Sequence, residues 1–178
     1  MSRKRKIVGA FAGKFLPPHI GHANQIEESA KQCDELYVVV ADSDKRSREL
    51  CKKSNIPHIP AKLRVKWLTE HFKDNPKIKI LYMNEGMLEV FPNGLEKWKK
   101  HFSKVTRHRV AIKFADETYR EMNEKYFPEC KFICFNRTII NISATQIRND
   151  PEKYFDFIID EAKPFFKNII KQKNISKM

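Results

Sequence analysis

Two histidines three residues apart, His19 and His22, with Gly21 between them, are the side chains in this sequence best suited to chemistry on an anion. At a helix start that spacing lets both imidazoles point the same way. Gly21 removes a side chain where a ligand would approach the backbone. A helix N-terminus adds free amides and a partial positive charge. Together these parts make a seat for a polyphosphate, and two imidazole donors would stabilise charge that builds on a phosphoryl group during transfer. The same pair also fits ordinary helix-capping histidines. Its context favours chemistry: the pair follows an apolar run, Gly13 and the Pro17-Pro18 dipeptide, and it opens a helical pattern. No further ligands stand at zinc spacing, so no protein-held metal is expected.

A second anion site is legible near the other end. Ser143 is a good N-cap, Thr145 adds a hydroxyl in the first turn, and Arg148 lies a turn further on, able to fork onto a phosphate oxygen. By itself the segment also reads as a plain helix cap with a surface arginine. Two such sites, each following a strand, suit a triphosphate held from two sides.

The elements that must position these residues follow from periodicity. Apolar or β-branched runs at 6–12, 35–40, 78–82, 109–114 and 131–135 read as strands. Between them, Ala23, Ile26 and Ala30 mark one helical face, and Leu63, Trp67, Leu68 and Phe72 a second. Helices are also expected over 95–105 and 116–125, from Ser143, from Pro151 and from Pro164. Residues 42–55 read as a polar connection, and 84–94 as an irregular one. Strands alternating with helices imply an α/β fold: a Rossmann-like, doubly wound, parallel five-stranded sheet, with C-terminal helices over about 151–178. A single domain over 1–178 is expected. Ligands of such sheets bind outside the carboxyl ends of the strands, so the loop after the first strand and the segment after the fifth should meet over one crevice.

With both motifs on one sheet, the chain resembles a known group. A strand, then G-x-F-x-P-x-H-x-G-H, then a late I-S-x-T-x-x-R is similar to the HIGH-signature nucleotidyltransferases. The blocks 42–50, 63–72, 83–87, 91–94 with Trp98, 148–158 and 163–166 resemble, within them, the nicotinamide-mononucleotide adenylyltransferases of the NadR type. That resemblance implies transfer of AMP from ATP to nicotinamide mononucleotide, giving NAD and pyrophosphate. It implies ATP contacts from Gly13, Lys14, Phe15, His19, Gly21, His22, Ser143, Thr145 and Arg148, with His19, His22 and Arg148 at the reacting centre. It implies mononucleotide contacts from Asn84, Phe91, Asn93, Trp98 and Arg46. A pyridinium cation favours the face of an indole, although Trp98 also fits a core position beside Phe102. Mg²⁺ is implied as a cation carried by the ATP phosphates. The chain departs from the pattern at Leu95, where the family has an aromatic, and at Arg46-Ser47-Arg48, where it has R-D-R. No G-x-x-x-x-G-K-S/T loop is present, so the kinase activity that accompanies some members is not expected.

Composition sets the remaining bounds. The 178 residues carry a net charge of +13, with lysines spread along the whole chain and no stacking motif among them. Nucleic acid is therefore not an expected partner, and a solvated basic surface or a funnel for anionic small molecules accounts for the charge. The later lysine-rich loop of the synthetases that share H-I-G-H is missing. No apolar run is long enough to span a bilayer and no leader is recognised, so a cytoplasmic protein without a membrane partner is expected. The four cysteines show no paired spacing and read as reduced thiols. Two alternatives stay open: another phosphorylated acceptor with ATP or CTP, and a regulator that binds NAD or ATP without turnover.

Overall fold

The computed structural model describes residues 5–135 and 139–176. In chain order the elements are β1 (Val8–Gly13), α1 (Ile20–Ala30), β2 (Glu35–Asp42), α2 (Asp44–Lys53), α3 (Ala61–His71), β3 (Ile78–Asn84) and α4 (Leu95–Val105). Then come β4 (Val110–Ala115), α5 (Arg120–Tyr126), β5 (Lys131–Cys134), α6 (Ala144–Asn149) and α7 (Lys163–Ser176). The five strands form one parallel sheet in the order β3-β2-β1-β4-β5. The winding reverses between β1 and β4, which places a crevice at the carboxyl end of β1.

β2 shows why the sheet is covered twice. Leu36, Val38 and Val40 point into one apolar cluster, while Tyr37, Val39 and Ala41 point into the other. The first cluster collects Ile26 and Ala30 of α1, Trp67 and Leu68 of α3, Ile147 of α6, and Phe166 and Ile169 of α7. The second collects Phe102 of α4 and Phe127. Each large aliphatic or aromatic side chain so buried contributes roughly 1.5–3 kcal/mol.

Three local expectations change. Residues 44–53 form α2, started by Ser43, whose hydroxyl accepts from the Arg46 amide at 3.5 Å. The helix expected at 116–125 begins as a 3-10 turn over Glu117–Tyr119 before α5. No α-helix starts at Pro151; turns lead to a 3-10 segment, Phe155–Phe157. All four cysteines are free. Among the described residues no helix is long and apolar enough to cross a membrane.

Candidate nucleotide site

The loop that leaves β1 carries the first motif. Phe15 and Leu16 are each 1% exposed, so the loop is anchored by its own side chains. Phe15 adopts φ 50°, an uncommon left-handed conformation for a bulky residue. Packing holds it there: its ring lies 6.0 Å from Phe11 and meets the His22 ring edge-on at 5.0 Å. Two buried guanidiniums then fix the loop's carbonyls. Arg64, fully buried on α3, donates through Nη1 to Lys14 O at 2.6 Å. Arg148, on α6, donates through Nη1 to Leu16 O at 2.6 Å. A carbonyl bound to a guanidinium is one not turned toward an anion, so the pair clears oxygen lone pairs from the seat.

Arg64 is itself held. Its Nη2 lies 2.8 Å from Asp42 Oδ1, a charge contact whose angles are not those of a hydrogen bond, and its Nε donates to Ile59 O at 3.2 Å. Asp42 ends β2 and is 2% exposed. The end of β2, the start of α3 and the loop after β1 are thus joined by one buried ion pair.

His19 is the N-cap of α1 and is buried. Its Nδ1 accepts from the His22 amide at 3.3 Å, which leaves the ring proton on Nε2 as a donor. The His22 ring stacks on it with centroids 3.6 Å apart and planes at 21°. The glycine between them has a second reason to be glycine. A Cβ on Gly21 would stand 3.0 Å from His19 Nδ1 and 3.2 Å from Ile142 Cγ2, so a side chain there would push the imidazole itself. Gly21→Ala is expected to leave the fold intact and to lower turnover about tenfold or more through that displacement, read as kcat at saturating substrate beside an unchanged circular-dichroism spectrum. A rate within twofold of wild type would show that the ring has room to yield.

The proximity of Ile142 to Gly21 also shows that the two motifs meet. Ser143 caps α6 in a reciprocal box: its hydroxyl accepts from the Gln146 amide at 3.2 Å, and Gln146 Oε1 accepts from the Ser143 amide at 2.9 Å. Thr145 is exposed, and its hydroxyl accepts from Arg148 Nη2 at 3.2 Å. Arg148 is 5% exposed, with no protein acceptor for its Nε among the described residues. Burial disfavours its charge and pushes its pKa down. The arginine expected to reach a phosphate therefore also holds the loop of the first motif.

Lys14 reaches the other way. Its Nζ lies 3.5 Å from Glu85 Oε2, and Glu85 Oε1 accepts from the Trp98 indole N–H at 2.7 Å. Trp98 stacks on Phe102 with centroids 5.0 Å apart and planes at 12°. The core reading of this residue holds, and its indole edge is in addition bonded to Glu85. The other residues expected at the mononucleotide are spread along 84–98. Asn84 Oδ1 accepts from the Gly86 amide at 2.8 Å and shapes the turn after β3. Phe91 is half-exposed and meets Tyr119 edge-on at 5.7 Å. Asn93 is exposed; its amide donates to Val90 O at 3.0 Å, closing the turn that ends at Gly94, φ 66°. Arg46 donates to Leu88 O at 2.9 Å and to Glu85 O at 3.4 Å, so it braces this loop through its carbonyls.

Sequence reasoning missed Asp42, Glu85 and Lys113 as parts of this system. Asp42 and Glu85 each follow an apolar strand at its carboxyl end, which was the available signal. Lys113, buried within β4, stands out only because a lysine interrupts an apolar run.

A sheet reversing at β1, with a histidine pair at its carboxyl end, is the architecture of a doubly wound nucleotide-binding fold, and the comparisons agree. The cytidylyltransferase-like family model matches residues 10–150, and the chain belongs to that family. The chain is 32% identical over 172 residues to the trifunctional NAD biosynthesis/regulator protein NadR of Escherichia coli K12, covering 92% of this chain and 42% of that protein. It therefore spans less than half of that relative. It is 31% identical over 123 residues to a probable nicotinate-nucleotide adenylyltransferase of Sulfurimonas denitrificans, covering 66% of this chain and 65% of the other. A crystal structure of NadR protein in complex with NAD and AMP-PNP superposes with TM-score 0.70 at 28% identity, over 88% of this chain and 46% of that one.

Proposed function

We propose that this chain is a nicotinamide-mononucleotide adenylyltransferase, working as one domain with a C-terminal extension over about 151–178, in the cytoplasm. The observation that carries the reading is the meeting of the two motifs. The stacked His19 and His22 open α1 directly under a loop whose carbonyls are withdrawn by Arg64 and Arg148, and Arg148 comes from the second motif. The relatives that act on, or are bound to, pyridine nucleotides support it.

The reaction assigned is in-line transfer. An oxygen of the acceptor's 5′-phosphate attacks the α-phosphorus of ATP; the bond to the oxygen bridging the α- and β-phosphorus breaks, and pyrophosphate leaves. A phosphate dianion needs no side-chain nucleophile, so the protein contributes position and charge stabilisation. His19 Nε2–H and the His22 ring are the donors assigned to the phosphoryl oxygens. The amides of 13–15, with Gly21, Ser143, Thr145 and Arg148, are assigned to the remainder of the triphosphate. Asn84, Phe91, Asn93 and Trp98 are assigned to the mononucleotide, with Arg46 as a brace for that loop.

Mg²⁺ is the proposed cation, and carried by the ATP phosphates it would offset their negative charge. The two carboxylates wired into the loop have partners, Asp42 in Arg64 and Glu85 in Lys14 and Trp98, so neither would be needed to hold the cation.

A panel tests the assignment: purified protein, Mg²⁺, ATP or CTP, and each of nicotinamide mononucleotide, nicotinate mononucleotide, phosphopantetheine and FMN. Pyrophosphate release and a dinucleotide product with ATP and a pyridine mononucleotide are expected. Turnover only with another acceptor, or NAD binding without pyrophosphate formation, would overturn it.

A further inference from the structure

Lys113 is the one charged side chain buried inside β4, and it is 5% exposed. No carboxylate pairs with it among the described residues; aromatic rings surround it. Its Nζ lies 3.5 Å from the centre of the Phe127 ring, 4.4 Å from Phe102 and 5.0 Å from Trp98. Phe127 stands nearly perpendicular to the other two rings, at 82° and 86°, so the three close a box around the amine. The groups facing it from the packed elements are few. Lys99 approaches from α4, and Glu129 and Cys130 from the segment before β5. β1 and β5 place only Ala10 and Phe132 beside it in register.

This box shares a wall with the proposed acceptor site. Phe102 stacks on Trp98, the Lys113 Nζ lies 5.0 Å from the indole centre, and the indole edge is bonded to Glu85. An aromatic face draws cations to it, and a cation already on one side weakens the attraction for a second on the other. The two pyridine mononucleotides differ here and nowhere else. The nicotinamide ring is a pyridinium with net charge +1. The nicotinate ring is a pyridinium carboxylate with net charge zero.

Resting on the transferase reading above, we propose that Lys113 determines the charge preference of the acceptor pocket: as an ammonium it disfavours the cationic nicotinamide ring against the zwitterionic nicotinate ring, and as an amine it does not. Burial, only partly offset by the charge of Glu129, brings the Lys113 pKa down to about 7. The ammonium therefore prevails below that pH and the neutral amine above it. Acceptor preference in this protein is a function of pH, set by a residue that touches neither substrate.

The experiment is the ratio of kcat/KM for nicotinamide over nicotinate mononucleotide, measured from about pH 6 to about pH 8.5 for wild type, Lys113→Met and Lys113→Gln. Both acceptors carry the same 5′-phosphate and meet the same ATP, so other titrations cancel in the ratio. Wild type is expected to show a rise of about tenfold with a midpoint near 7, the size of a single modest charge interaction. Both variants are expected to be flat, at the high-pH wild-type ratio. A flat wild-type ratio, or a variant that retains the rise, overturns the assignment to Lys113 while leaving the transferase reading in place. No pyrophosphate from either acceptor at any pH overturns the transferase reading, and this inference with it.

Discussion

His19→Ala and His22→Ala each lower kcat by about 10²–10³-fold, the usual loss when one preorganised donor to a developing charge is removed. The expectation follows from the stacked pair and from the His22 amide hydrogen bond to His19 Nδ1, which puts the ring proton on Nε2. His19 has two roles, and they separate by substitution. Alanine removes the cap acceptor as well as the imidazole, costing about 1 kcal/mol of stability. His19→Asn keeps an oxygen for the His22 amide, so it should hold the wild-type melting temperature and still lose the rate. Steady-state pyrophosphate release beside thermal denaturation reads both. Near-normal rates in the two alanine variants would remove the histidines from the reaction.

Asp42→Ala carries the largest expected cost in stability. It strands the Arg64 guanidinium, which is fully buried, beside a hole where its counter-charge stood. Removing one partner of such a pair costs about 3–5 kcal/mol, lowering the melting temperature of a chain this size by about 10 °C. The companion double variant Asp42→Leu/Arg64→Met separates folding from function. It replaces the ion pair with apolar groups of similar bulk, so most of the stability should return. The rate should not, because Lys14 O loses the donor that held it. Urea unfolding and kcat measured on the same preparations test both halves. A double variant as active as wild type would show that the loop holds its shape unaided.

What the sequence made legible was what periodicity and side-chain type encode. The five strands and the helix that opens at His19 are where alternating or 3.6-residue apolar spacing places them. α2 was not legible because its inward face is nearly free of large apolar groups: Ser47 and Cys51 are its buried residues, so 44–53 reads as a charged loop. The turns after Pro151 failed differently. Proline marks a position where a helix can start, and the aromatic packing of Tyr154 on Phe157 settles the segment otherwise. At the site, both motifs were legible, but the way they join was not. Arg64 and Arg148 meet backbone carbonyls, and a carbonyl has no sequence signature. The same holds for Arg46, whose acceptors are Leu88 O and Glu85 O. The Lys14–Glu85–Trp98 connection spans residues far apart in the chain, and only the sheet register brings them together.

One contact remains, at the first histidine. His19 makes an isolated antiparallel bridge with Ile158, beyond residue 150 where the family match ends. The backbone that frames the imidazole is therefore completed by a segment from outside the shared core. A chain cut after Asp150 would keep every motif residue yet hand His19 an open flank, losing also Ile158, Ile159 and Phe166 from the apolar cluster beneath. Ile158 lies five residues before α7, so loosening of the segment that leads into α7 would reach His19 through that single bridge. The segment leading into α7 braces the first helix at its N-cap.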